Sequence, residues 1–229
     1  MTLYADNTQS EAESSSSVLL EMIYGSQKSQ ALFVAAKLGI ADILSNGSKT
    51  ADELAKATGV NSRSIYHLMR MLISVGVFST EDNDKFILNP MGKHLLTGTS
   101  DSLRGTVMAM GDELYRAWGS LLYSMKTGEI AFDYTFNMSM YSYLKLNSEV
   151  NENFNEFLKE TTREWLLPVL EAYDFSEVKT LVDVGGGFGT LTAVLLKNNP
   201  KMQAILFDRE DVVVGTQRVL EGAGVADRC

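Results

Sequence analysis

The sequence predicts a mainly α amino-terminal winged-helix domain followed by the start of an α/β Rossmann-like domain whose sheet is incomplete. Three observations carry this. A helix-turn-helix pattern with two short strands behind it runs from Thr50 to Pro90, residues 103 to 175 are helical in character, and a strand, a glycine turn and a helix lead from Leu181 into a second strand at Gln203. The expected divisions are a flexible tail at 1–17, a winged-helix domain at 18–100, a helical connection at 101–178 and the first part of the Rossmann-like domain at 179–229.

Taken in order, the amino terminus (MTLYADNTQSEAESSSS) is polar and acidic with no apolar segment, so it reads as a loose tail and neither a signal peptide nor an anchor. Residues 18 to 38 read as one helix or two. Leu19, Leu20, Met22, Ile23, Leu32, Phe33 and Val34 occupy more than one face, so this helix needs more than one packing partner, and a second subunit is a candidate. A first short helix is expected from Ala51 to Thr58, a turn at Gly59-Val60, and a longer helix from about Ser62 to Val75 that buries Ile65, Leu68, Met69 and Leu72 along one stripe. Val77-Phe78 and Phe86-Ile87-Leu88, on either side of the polar Glu81-Asp82-Asn83-Asp84, make the wing.

A winged helix suggests DNA binding, with the longer helix in the major groove. Charge weighs against it. Residues 48 to 96 hold six basic side chains (Lys49, Lys56, Arg63, Arg70, Lys85, Lys93) and five acidic ones (Asp52, Glu53, Glu81, Asp82, Asp84), a balance of only +1, whereas a DNA reader gains from a clustered basic face. The whole chain of 229 residues carries a net charge of −9, which argues further against nucleic acid and against anionic lipid. No run approaches membrane-spanning length. The single cysteine, Cys229, excludes an intramolecular disulfide, and with no secretory signal it points to a reducing cytoplasm. No cluster of His, Cys and carboxylate with metal-ligand spacing is visible, so no metal is expected.

The chemistry concentrates in Leu181-Val182-Asp183-Val184-Gly185-Gly186-Gly187-Phe188-Gly189. The β-branched run suits a strand covered on both faces, and Thr190 to Lys197 reads as a helix. Between them, glycine lets the backbone approach a ligand while the helix start directs amide N–H groups at it. After Asn198-Asn199-Pro200, Gln203 to Phe207 forms a second strand ending in Asp208, an acid placed to accept hydrogen bonds from ribose hydroxyls. The dinucleotide fingerprint fails because Thr190 stands where its third glycine belongs, and Gly189-Thr190-Leu191 does not supply a Walker loop.

Asp183-x-Gly185-x-Gly187-x-Gly189 followed by Asp208 resembles motif I and the acidic loop of class I S-adenosylmethionine-dependent methyltransferases. The resemblance implies that Gly185, Gly187 and Gly189 pack against the methionine portion of the cofactor, that Asp208 holds the ribose diol and that Asp183 supports the turn. The order of winged helix, Ala117-Trp118-Gly119, Thr127-Gly128-Glu129, Phe154-Asn155 and the glycine turn is similar to the O-methyltransferases of small-molecule metabolism, over nearly everything from residue 18 onward. That implies a homodimer joined through the amino-terminal helical domain and an acceptor that is a small hydroxylated, aromatic or polyketide-like metabolite. It also implies that Phe154 and Leu158 face the acceptor, that Thr162 reaches the cofactor carboxylate and that Arg209 flanks the adenosine. Leu158 replaces the usual Met of that helix and Thr162 the usual Ser.

The resemblance further implies a seven-stranded sheet and a histidine base in a segment rich in His, Asp and Trp. Only two strands are readable between Thr180 and Cys229, and neither His67 nor His94 can take the base's place, so the chain is expected to be cut within the catalytic domain, with the base beyond Cys229. On this reading it binds S-adenosylmethionine weakly and does not methylate. Two alternatives stay open: a winged-helix DNA-binding regulator that senses a nucleotide-like ligand, and a noncatalytic dimerisation partner derived from a methyltransferase.

Overall fold

The structure, a computed structural model, describes residues 6–81 and 85–229; Met1 to Ala5 and the expected wing turn at Asp82 to Asp84 lie outside the described residues. The chain divides into two compact units, Met1–Phe157 and Leu158–Cys229.

In the first unit, α1 (Asp6–Lys37) and α2 (Ile40–Leu44) precede the helix-turn-helix of α3 (Ala51–Thr58) and α4 (Ser62–Ser74), and the wing is the antiparallel pair β1 (Phe78–Glu81) and β2 (Lys85–Leu88). Helix α3 starts where a capping box permits: the Thr50 hydroxyl accepts from the Glu53 N–H at 3.2 Å and the Thr50 N–H donates to the Glu53 carboxylate at 2.7 Å. That backbone donor also holds the Glu53 carboxyl below its ordinary pKa. Asn61 caps α4 by accepting from the Ser64 N–H at 3.0 Å. Ile65, Met69 and Leu72, on one stripe of α4, meet Ala35, Ile40, Leu54, Phe78 and Phe86 in a common core. Lys49 adds a third rung to the wing, exchanging backbone hydrogen bonds with Phe86 at 3.0 and 2.7 Å.

Residues 6–17, expected as a loose tail, are helical from Asp6 onward as part of α1. The apolar stretch that follows nucleates the helix, and Glu, Gln and Ala extend it at little cost because propagation is far easier than initiation. Five short helices then follow: α5 (Arg104–Gly111), α6 (Glu113–Gly119), α7 (Leu121–Thr127), α8 (Ala131–Phe136) and α9 (Met140–Leu146).

The boundary between the units falls inside α10 (Ser148–Ala172) rather than near residue 178, because Leu170, Phe175 and Val178 pack on the core of the second unit. There β3 (Thr180–Val184), α11 (Thr190–Asn198) and β4 (Gln203–Phe207) form one parallel βαβ unit, followed by α12 (Glu210–Val213) and α13 (Thr216–Ala223). The register pairs Leu181 with Ala204 and Asp183 with Leu206. Leu181 and Ala204 pack against α11 and α13 through Leu195, Leu196 and Leu220. Val182, Val184, Ile205 and Phe207, on the opposite face, are 58%, 74%, 57% and 67% exposed, so among the described residues this strand pair is covered on one face and not on both. Arg228 closes the unit by donating to the carbonyls of Leu196, Asn199 and Met202 at 2.8, 3.0 and 3.2 Å, which satisfies the carboxy-terminal end of α11.

Leu72 is fully buried in the first unit's core and Arg70 on the same helix is exposed. Leu72→Ala therefore costs about 2–5 kcal/mol in urea unfolding and Arg70→Ala less than about 0.5 kcal/mol. Comparable losses for both would contradict this core.

Candidate functional site

The parallel pairing of β3 with β4 sets Asp183 and Asp208 at the carboxy-terminal ends of neighbouring strands, on either side of the glycine turn. The Gly185 N–H donates to the Phe207 carbonyl at 2.8 Å, extending the ladder one step past β3. The Gly187 N–H then donates to Asp208 Oδ2 at 2.8 Å, and the Arg209 N–H donates to Asp208 Oδ1 at 2.6 Å. Each carboxylate oxygen thus has one backbone donor and keeps acceptor capacity for others. Asp183 Oδ2 accepts from the Thr192 hydroxyl at 2.6 Å, which ties the end of β3 to the first turn of α11.

Gly185, Gly187 and Gly189 all have positive φ, at 75°, 57° and 78°. At Gly185 and Gly187 a side chain would meet nothing within 4 Å, so the turn presents bare backbone to open space there. Gly189 is different. A Cβ there would lie 2.8 Å from Thr216 Cγ2, and the same Thr216 donates through its hydroxyl to the Gly187 carbonyl at 3.0 Å. Gly189 is also the N-cap of α11 and supplies no side-chain acceptor, which leaves the first amides of that helix without a side-chain cap.

The five residues expected at the cofactor turn, Asp183, Gly185, Gly187, Gly189 and Asp208, are therefore brought together in the second unit. Arg209 follows them through its backbone bond to Asp208, while its side chain is exposed. The Thr162 hydroxyl donates to the Leu158 carbonyl of its own helix at 2.8 Å. Leu158 is partly exposed, and it is not among the residues that line the cavity around Phe154. That cavity, with room for about one water, lies within the first unit, where Phe154 of α10 joins Leu114, Phe132, Met140 and Leu144 beside Glu113 and Tyr143. Burial raises the Glu113 carboxyl above its ordinary pKa, with Asp112 adding to the effect. Burial likewise raises the Tyr143 phenol, helped by the Glu113 charge.

Sequence reasoning missed Thr192, Thr216 and Gly186. Thr192 and Thr216 look like ordinary helix residues until the fold places their hydroxyls on the turn. Gly186 is needed because a Cβ there would lie 2.8 Å from Leu206 Cγ and 2.9 Å from Asp183 Cγ; the unbroken run of three glycines was its available signal. Glu113 and Tyr143 carried no local motif at all. Both histidines belong to the first unit: His67 is an exposed residue of α4 set edge-on to Tyr66 at 5.8 Å, and His94 Nδ1 lies 2.9 Å from the Asp101 carbonyl. Among the described residues, no group of three or more His, Cys, Asp or Glu is placed to hold a metal ion, and no helix is long and apolar enough to cross a membrane.

Two known families of domain match the chain. Residues 20–98 match the O-methyltransferase dimerisation domain and residues 118–228 the O-methyltransferase domain. The chain is 39% identical to a phenazine O-methyltransferase of Lysobacter antibioticus over 98% of its own length and 66% of that protein's. It is 36% identical to a 3-amino-4-hydroxybenzoate 4-O-methyltransferase of Streptomyces cremeus, over 86% of this chain and 54% of that one. The chain thus spans between about half and two thirds of the length of these relatives. Among solved structures, a methyltransferase of calicheamicin biosynthesis with SAH bound superposes with a TM-score of 0.75 at 28% identity, covering 94% of this chain and 64% of the other.

The geometry separates two glycines of equal φ sign. Gly187→Ala meets only the cost of a left-handed alanine, about 1–2 kcal/mol. Gly189→Ala adds the clash with Thr216, a further ~1–3 kcal/mol, because the stiff threonine cannot turn away without releasing the Gly187 carbonyl. Urea unfolding of the two variants should differ in that order, and equal losses would refute the role given to Thr216.

Proposed function

This chain belongs to the O-methyltransferase family, and from that premise we propose that its protein transfers a methyl group from S-adenosylmethionine to a hydroxyl of a small aromatic or polyketide-like metabolite. The observation that carries the reading is the glycine turn closed on Asp208. S-adenosylmethionine fits what this turn offers: bare backbone at Gly185 and Gly187 for close approach, and a carboxylate whose spare lone pairs suit a ribose diol. When bound, the cofactor supplies an electrophilic methyl group on a sulfonium centre.

This chain's own residues bind and orient. Asp208 accepts the ribose hydroxyls while keeping its bond to the Gly187 N–H, so one carboxylate fixes both the ligand and the turn. Asp183, bonded to Thr192, holds the turn's entry from β3 to α11. Arg209 flanks the adenosine, and Thr162 would reach the cofactor carboxylate by giving up its bond to Leu158. The family resemblance assigns Phe154 to the acceptor; Leu158, expected to share that role, belongs to the other unit and does not line the cavity around Phe154. Holding acceptor oxygen and methyl donor in line supplies much of the rate gain in such a transfer. Neither His67 nor His94 serves as the base that removes the acceptor's proton, since both belong to the winged-helix region and have the surroundings described above. We place the protein in the cytoplasm, consistent with its single cysteine.

The partner we propose for α1 is a second copy of the chain. Leu19, Leu20, Met22 and Ile23 on α1 are all about half exposed or more, which is costly for a surface in water and matches the dimerisation domain recognised at 20–98.

Two measurements test these readings. In calorimetry with S-adenosylhomocysteine, Asp208→Asn should weaken binding about tenfold or more, the scale of a hydrogen bond to a charged group; a wild-type chain that gives no heat, or an unaffected variant, sinks the cofactor assignment. In sedimentation, the double variant Leu19→Lys, Ile23→Lys, four residues apart on one face, should convert a dimer to a monomer, and a dimer that survives it would place the interface elsewhere.

A further inference from the structure

Thr216 opens α13 and is buried, at 6% exposure, yet its hydroxyl reaches out of its own helix to donate to the Gly187 carbonyl at 3.0 Å. Its methyl group lies against the next glycine of the turn: a Cβ at Gly189 would come 2.8 Å from Thr216 Cγ2. The residue before it makes a further contact. A Cβ at Gly215 would lie 2.8 Å from two ring atoms of Phe188, so only glycine leaves that ring its place. Gly215 and Thr216, at the entry to α13, therefore hold Gly187, Phe188 and Gly189 together.

Gly187 is the residue on which these contacts act. Its φ of 57° lies in the left-handed region, and glycine populates both signs of φ about as readily, so its covalent structure does not select this conformation. Hydrogen bonds select it. Asp208 accepts from the Gly187 N–H at 2.8 Å and Thr216 donates to the Gly187 carbonyl at 3.0 Å, which fixes both of the rigid peptide planes that meet at this residue. Without the hydroxyl, the plane shared with Phe188 loses its anchor, and the open backbone of Gly187 is held from the Asp208 side alone.

We propose that Thr216 is a positioning residue for the methyl donor, setting the Gly187 peptide against which S-adenosylmethionine binds and acting through that peptide instead of by contact. This rests on the cofactor reading above and extends the site from the glycine turn and Asp208 to α13. The acid at the end of β4 and the helix that follows it grip opposite ends of one glycine, so a ligand that needs the gripped form binds less well when either end is released.

The test is calorimetry of S-adenosylhomocysteine with the full 229-residue chain and with three variants of Thr216. Thr216→Val keeps the branched shape and removes the donor, and affinity should fall about three- to tenfold, the scale of one hydrogen bond between neutral groups. Thr216→Ala removes the donor without pressing a methyl group on the carbonyl; it should lose as much, and it carries the measurement if the valine variant does not fold. Thr216→Ser keeps the hydroxyl and loses the methyl beside Gly189, so its affinity should stay within about twofold of wild type while its urea midpoint drops. A residue that only filled space would cost stability in the serine and alanine variants and affinity in none. The inference is overturned if the valine and alanine variants bind as the wild type does, or if the serine variant binds as weakly as they do. Asp208→Asn, measured alongside, separates this failure from that of the cofactor reading. A chain whose affinity answers to Asp208 but not to Thr216 keeps its cofactor site and loses only this residue, whereas a wild type that gives no heat loses both.

Discussion

The second unit depends on the parallel register of β3 and β4. That pairing sets two carboxylates at the ends of adjacent strands and gives each a task on the same turn: Asp183 anchors the start of α11 through Thr192, and Asp208 holds the middle of the turn through the Gly187 N–H. A shift of one residue would exchange the buried and exposed faces of β4 and turn Leu206 and Asp208 away from these partners. The turn's shape follows from that constraint. Three positive φ angles let the backbone reverse in five residues, and Thr216 fills the space that Gly189 leaves empty while holding the Gly187 carbonyl.

The first unit rests on a different kind of order. Its core is a helix-turn-helix whose starts are fixed by local caps and whose stripe of Ile65, Met69 and Leu72 meets the two wing phenylalanines. Nothing about this core requires DNA. The near balance of charge over residues 48 to 96, the match to an O-methyltransferase dimerisation domain and the exposed apolar residues of α1 point the same unit toward a protein partner. A fold long associated with nucleic acid here matches a dimerisation domain, in keeping with the rule that function resides in sites and not in folds.

The parts legible in the sequence were those governed by short-range rules. The helix-turn-helix pattern and apolar spacing announced α3 and α4, glycine spacing announced the turn, and β-branched residues announced β3, so these elements lie within a residue or two of their expected bounds. What stayed hidden depended on contacts between distant residues. Thr216 meets Gly187 across 29 positions, and Arg228 caps α11 from 32 positions beyond Leu196. Gly186 was given no role of its own, although its missing side chain is what lets Leu206 and Asp183 approach. The tail at residues 6–17 was misread for the opposite reason: composition suggested disorder, but the helix behind it had already borne the cost of nucleation. Glu113 and Tyr143 line one cavity only because α6 and α9 converge on Phe154, which no local pattern announces.

The bond between Asp208 and the Gly187 N–H is made within the protein itself. A loop rich in glycine would ordinarily surrender a large conformational entropy on gripping a small molecule, since glycine has more freedom to lose than any other residue. Here that loss falls on folding, where the rest of the βαβ unit shares it. The ligand therefore meets a receptor that is already pre-organised, and its binding free energy is spent on contact instead of on ordering the chain.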